Sequence, residues 1–280
     1  MWTTIGFSTQ KKMFESLIQR NDLSHAYLFS GQEMIGKKTF GFELAQKLQP
    51  DLADSQIHPD LLLITPNSNT SISISEIRDA KFFASRSAYH GRFKIIIIDN
   101  AHLMTEEAQN ALLKILEEPQ RNIIFILVSS RPHMLFETIR SRCQEIFFTP
   151  QKRNEFDKYF ETTDLSDKQK DFIYDFSHNS IGLAKISSSK KDGAELKKTI
   201  SLLMTLIDLP LHERMTMIAP LAKDENLRTI VYYWILYIHF KSKLDQKLYK
   251  LLSELITLYK VIQYPQYKEV NALERFAINI

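Results

Sequence analysis

Five short β-rich runs, each separated from the next by helix-patterned sequence, constrain this chain more than any other feature. They are AYLFS (26–30), LLLI (61–64), KIIII (94–98), IIFILV (123–128) and EIFF (145–148). Several are apolar throughout and do not alternate. A strand with one wet face alternates with period two, whereas a strand covered on both faces does not. Covered strands that take turns with helices predict a parallel sheet between two helix layers, an α/β fold over residues 1–150.

One of the helices is legible in detail. In TEEAQNALLKILEEP, Ala108, Ala111, Leu112, Ile115 and Leu116 recur at helical spacing and form one apolar stripe. Thr105 is placed to cap the start, Glu106 and Glu107 suit the positive end of the dipole, and Pro119 stops the helix. After TPQKR (149–153) the strand signals fade. KQKDFIYDFSHNSIGLAKIS, ELKKTISLLMTLI and LDQKLYKLLSELITLYKVIQ all read as helical. A break near SSSKKDG (187–193) divides a small helical piece, 151–190, from a larger one, 191–280. The sequence contains no internal repeat and no low-complexity tract.

Composition narrows the class. Of 280 residues, 44% are apolar and 25% charged, enough for a sizeable core. Basic and acidic side chains number 36 and 33, a balance that demands no nucleic-acid partner. Cys143 stands alone, so neither an internal disulfide nor a Cys-x-x-Cys zinc pair is available, as suits a reducing cytoplasm. The opening MWTTIGFSTQKK has no apolar core of signal-peptide length. The run TIVYYWILYIHF (229–240) is too short to cross a bilayer, so no membrane partner is expected.

Two segments carry candidate chemistry. Between the first strand and the next helix lies SGQEMIGKKTF. Gly31, Gly36 and Lys37 fit the spacing G-x-x-x-x-G-K-[S/T] of a phosphate-binding loop. Backbone N–H groups at that helix start would face a phosphate, and Lys37 would reach it. The next residue should be a hydroxyl for Mg²⁺, yet it is Lys38, which cannot ligate a metal. Thr39 is turned about 100° away around the helix. The interior Gln32-Glu33-Met34-Ile35 has no glycine, and Glu33 adds negative charge. The same residues also read as a plain strand–loop–helix turn.

The second segment is KIIIIDNAH. A buried strand that ends in an acid is how a carboxylate is presented to the Mg²⁺ shell, and Asp99 fits. The residue after it is Asn100, whose amide cannot serve as a general base. Asp99 reads otherwise as a strand-end cap. Two separate parts of an ATPase site are altered in one direction.

LSHAYLFSG, HPDLLLITP, SISISEIRDAKFF, KIIIIDNAHLMTEEAQNALLKILEEPQRNIIFILVSS and ETIRSRCQEIFF together resemble the delta-prime branch of the bacterial DNA polymerase III clamp-loader family. Gamma, tau and the eukaryotic replication factor C subunits share much of this pattern. The resemblance is dense over 1–150 and thin through SHNSIGLAK (177–185). It implies an AAA+ P-loop-like α/β domain over 1–150, a helical lid over 151–190 and an all-α collar over 191–280 that joins subunits into a ring.

Gamma and tau resemble motors with intact loops, and delta-prime members often carry broken loops and act as a stator. Lys38 and Asn100 place this chain with the stator. So does Gly182, near where an active member offers a lid arginine to nucleotide. The implied partners are gamma/tau motor subunits, a delta subunit, the sliding clamp and, through the complex, primed DNA. Many relatives carry a four-cysteine zinc module where this chain reads QPDLADSQIHPD, so no zinc is expected and His58 is read as structural. No cofactor is assigned, and weak ATP binding stays open.

SRC (141–143) is intact. The resemblance makes Arg142 an arginine finger, inserted into a neighbour's ATP site, where a planar and permanently charged guanidinium stabilises the transferring phosphoryl group. Without the resemblance, Arg142 reads as the partner of a carboxylate at a loop end. Ser141 is expected to cap or orient the turn, and Cys143 to be buried as packing. Ser129 or Ser130 stands where relatives place a phosphate sensor. Arg78, Lys81 and Arg86, with Phe82 and Phe83, suggest a DNA contact or a solvated helix face. Two other functions fit the residues: a motor-type ATPase tolerant of Lys38, and a DNA-binding adaptor without ring partners.

Overall fold

The structure, a computed structural model, describes residues 2–49, 58–66, 71–89, 92–120, 122–161, 163, 165–224, 226–242, 245–262 and 268–280. Most of the QPDLADSQIHPD stretch, 50–57, lies outside the described residues. The chain divides into two compact units, Met1–Thr163 with Ser180–Gly182, and Asp164–Asn179 with Leu183–Ile280. Among the described residues no helix is long and apolar enough to cross a membrane.

The first unit holds a five-stranded sheet: β1 (Ala26–Ser30), β2 (Leu61–Ile64), β3 (Lys94–Ile98), β4 (Ile123–Ser129) and β5 (Gln144–Phe147). All pairings are parallel, in the order β2-β3-β4-β1-β5. Helices α1 (Ser8–Arg20), α2 (Lys37–Leu48), α3 (Ile74–Ser85), α4 (Glu106–Glu117), α5 (Glu137–Arg140) and α6 (Arg153–Phe160) complete it. Every residue of β1, β3 and β4 is buried.

The pleat explains the lack of alternation. Ala26, Leu28, Ile96, Ile98, Phe125 and Leu127 pack with Ile77, Ala80, Leu112 and Ile115 of α3 and α4. Their neighbours Tyr27, Phe29, Ile95, Ile97, Ile124 and Ile126 pack with Phe14, Phe40 and Leu44 of α1 and α2. Each face has its own core, so both sets of alternate residues are apolar. A fully buried Leu, Ile or Phe stabilises by about 1.5–3 kcal/mol, and the two cores hold many of them.

Helix α4 follows its sequence pattern. Thr105 accepts from the Ala108 N–H at 3.2 Å, and Ala108, Leu112, Ile115 and Leu116 are buried. Gln109 shares the buried face. Its amide oxygen accepts from the Phe136 N–H at 2.8 Å, and its amide nitrogen donates to the carbonyls of Met104 and Met134. A buried amide is stable only when so satisfied. Gln109 thereby ties α4 to the segment that leads into α5.

The second unit is helical: α7 (Asp167–Phe176), α8 (Ile181–Ser188, which it enters from Leu183), α9 (Lys190–Asp208), α10 (Leu211–Leu221), α11 (Leu227–Ser242), α12 (Tyr249–Val261) and α13 (Glu269–Asn279). Residues 177–180 interrupt the KQKDFIYDFSHNSIGLAKIS pattern, which is two helices. Trp234 of α11 is fully buried and donates its indole N–H to the Thr199 carbonyl at 2.7 Å. Arg214 of α10 closes the unit by donating to the carbonyls of Ile207, Leu209, Ala277 and Ile280.

Candidate nucleotide pocket and arginine finger

The loop leaves β1 through Gly31, whose φ of 144° no side chain tolerates easily, and a Cβ there would meet the Phe148 carbonyl oxygen at 2.1 Å. Gly36 caps the start of α2 at φ 102°. Met34, between them, holds a left-handed φ of 59° without being glycine. Such a conformation costs of order 1 kcal/mol and persists only where the surroundings hold it. The holder is the Ser180–Gly182 turn: the Met34 carbonyl accepts from the Ser180 hydroxyl at 2.7 Å and from the Gly182 N–H at 2.8 Å. A Cβ at 182 would stand 2.3 Å from that oxygen. This close approach accounts for glycine at the position.

Lys37 is buried and turned back on its own loop. Its ammonium donates to the carbonyls of Gly31 at 2.6 Å and Gln32 at 2.5 Å. Burial pushes its pKa down to about 8, against the opposing pull of Glu33 and Asp99. Lys38 projects toward the end of β3, where its ammonium lies 3.0 Å from Asp99 Oδ2. Asp99 Oδ1 accepts from the Asn100 N–H at 3.0 Å, and Asn100 takes φ 50°. Thr39 is exposed.

At the end of β4, Ser130 donates to Glu33 Oε1 at 3.0 Å. Ser129 is fully buried, lies 3.3 Å from His102 Nδ1, and accepts from the Arg131 N–H. His102 is held down to about 4, first by burial and then by the positive charges of Arg131, Lys37 and His133. Sequence reading missed His102, Ser180 and Gln109. The only local sign of His102 was a polar residue three positions after Asp99.

The SRC segment follows α5. Ser141 donates to the Thr138 carbonyl at 3.1 Å, which orients the turn. Arg142 is about one-third exposed, and its Nη2 meets Glu117 Oε1 at 2.9 Å while Nη1 donates to the Thr138 carbonyl at 2.9 Å. In the single chain, therefore, Arg142 does pair with a carboxylate at a loop end. Cys143, expected to be buried as packing, is partly buried and packs against the core shared with α3 and α4. It directly precedes β5, the edge strand of the sheet. Burial, then the Glu145 charge, pushes its thiol up to about 12.

Elsewhere, Arg78, Lys81 and Phe82 are exposed along α3 and Arg86 just after its end, and the Arg86 guanidinium lies 4.3 Å from the Phe82 ring centre. Phe83 instead packs against the core with Lys94 over its ring. His58 accepts from the Asp60 N–H at 3.1 Å, a local turn bond.

Comparison with known proteins places these features in context. Residues 7–152 match the family described as "DNA polymerase III, delta subunit". Over 122 residues the chain is 34% identical to the DNA polymerase III subunit delta' of Bacillus subtilis, covering 39% of this chain and 37% of that protein. It is 33% identical over 115 residues to the gamma/tau subunit of Mycobacterium tuberculosis, covering 35% of this chain and 19% of that protein. The match thus spans well under half of these relatives. Among solved structures, a DNA polymerase III, gamma subunit-related protein from Thermotoga maritima superposes with a TM-score of 0.55 at 19% identity, over 95% of this chain and 99% of that one. That likeness concerns the fold.

Proposed function

From the premise that the chain belongs to the DNA polymerase III, delta subunit family over residues 7–152, we propose that it is a delta-prime-type stator of a clamp loader. It hydrolyses no ATP itself and lends Arg142 to the ATP site of a neighbouring gamma/tau-type motor. The complex, with a delta subunit, loads a sliding clamp on primed DNA in the cytoplasm. The helical stretch divides into a lid over 151–190 and a collar over 191–280 that assembles the ring.

The Lys38–Asp99 pair at 3.0 Å carries this reading. A carboxylate already neutralised by an ammonium is a poor ligand for Mg²⁺, and that ammonium repels the ion. The rest of the pocket supports the same conclusion. Lys37 is bonded to its own loop, Glu33 faces Ser130, and Met34 is tied to Ser180 and Gly182. As built, the pocket does not fit a metal-bound nucleotide. Asn100, beside Asp99, supplies no base.

Arg142 keeps what a finger requires. It is partly exposed and stands on a short, hydrogen-bonded turn. A guanidinium supplied in trans is worth about 10³–10⁵-fold in turnover. The preserved Gly31, Gly36 and Lys37, with the gamma/tau similarity, favour a second reading as a motor-type ATPase. Nucleotide binding and turnover by the purified chain separate the two. The stator reading predicts no turnover and no Mg²⁺-dependent binding of ATP. Steady hydrolysis by the chain alone would establish the motor.

A further inference from the structure

We propose that Glu117 is a positioning residue for Arg142: it parks the guanidinium in the aimed conformation and yields it to an incoming phosphoryl group. The inference rests on the finger reading above and adds a residue to it. Glu117 is the last residue of α4, and Arg142 lies 25 positions further along the chain. Their side chains nevertheless meet at 2.9 Å, with the Thr138 carbonyl on the other terminal nitrogen.

Chemistry favours that arrangement. The carbonyl end of a helix carries partial negative charge, which adds to the attraction of the Glu117 carboxylate for a cation. Arginine has five N–H donors in a planar fork. Glu117 and Thr138 engage one on each terminal nitrogen, which leaves three directed donors for an oxyanion. The side chain is therefore oriented before any ligand arrives, and the rotamer cost of ordering it is already met. The restraint is also weak enough to exchange. Glu117 is half exposed and Arg142 about one-third exposed, and such pairs are marginal in water. A phosphoryl group gathering charge in a drier interface competes well for the same fork.

Helix α4 is a suitable mount. Gln109 fixes its first turn to the Phe136 N–H ahead of α5, and Glu117 at its last position reaches the residue after the SRC serine. Those two attachment points are about 12 Å apart along one helix. The turn bearing Arg142 is thus held at both ends by α4. Positioning of this kind is catalytically significant, because a displacement of about 1 Å can cost about 10²-fold.

The test is a double-mutant cycle in the reconstituted complex with its ATP-hydrolysing subunits, with assembly checked by gel filtration. Glu117→Ala is expected to lower kcat about ten-fold and to move KM less than about two-fold, because the finger acts in the transition state. In an Arg142→Ala background the same change should cost less than about two-fold. Glu117→Gln, which keeps an acceptor but loses the charge, should fall between wild type and Glu117→Ala. If Arg142→Ala lowers turnover but Glu117→Ala does not, the positioning role is overturned and the finger stands. An equal loss from Glu117→Ala in both backgrounds would mark a structural role and also overturn it. Unchanged turnover with Arg142→Ala would remove the finger and this inference together.

Discussion

The ammonium of Lys38, on the first turn of α2, lies 3.0 Å from the carboxylate of Asp99 at the end of β3. Where a metal-dependent site would carry a hydroxyl and an acid that share an ion, this chain carries its own cation. The signs of mutational effects follow. Replacing either partner by Ala should cost about 1 kcal/mol in urea or thermal unfolding, and the double variant about as much as either single one, since the pair is partly exposed. A carboxylate held ready for a metal would behave oppositely, gaining stability when removed in the absence of the ion.

The loop's anchorage makes a second prediction. Gly182→Ala places a Cβ 2.3 Å from the Met34 oxygen, a backbone atom that cannot step aside without moving the loop. The expected loss is about 1–3 kcal/mol, with faster amide exchange over residues 31–36. Ser180→Ala removes one of the two donors to the same carbonyl and should cost about 1 kcal/mol. Unaltered exchange in both variants would show that the turn does not hold the loop.

His102 gives the fold an acid limit. Its native pKa is about 4 against an ordinary 6.5. Between those values the unfolded chain binds the extra proton and the folded chain does not, so stability rises with pH across that window. The contribution is fully present above about 6.5 and is lost as pH falls toward 4, on the order of 3 kcal/mol at most. Unfolding curves at several pH values, with His102→Gln as control, should show the slope in the wild type and its reduction in the variant.

The strands were the most legible elements in sequence, each within a residue or two of its observed bounds. β-Branched and aromatic runs with both pleat faces apolar admit few alternatives. Strand order was less accessible, because nothing local states that β1 lies between β4 and β5. The site shows the same division. Gly31, Gly36, Lys37, Lys38, Asp99 and Asn100 could be singled out by spacing. That Lys37 folds back on its loop and that Lys38 finds Asp99 could not, since both depend on where side chains point across elements. Gly182 read as an arginine lost, whereas the structure shows a backbone contact that excludes any side chain. Glu117 lay inside the helix pattern as one more surface acid. Only its distance to Arg142 distinguishes it.

Cys143 supplies a chemical probe. With its thiol pushed up to about 12 by burial, almost none is thiolate near neutrality, so a thiol-specific reagent should react slowly in the native state. Labelling should accelerate at least ten-fold on unfolding, and because this is the only cysteine the signal is unambiguous. Fast labelling of the native chain would place the thiol in solvent.

The most direct test is ATP turnover by the reconstituted clamp loader carrying Arg142→Ala in this chain. The account predicts intact assembly, turnover at the neighbouring site reduced by at least about 10³-fold, and no hydrolysis by the isolated chain before or after the change. Undiminished turnover at that site, with the complex fully assembled, would contradict it.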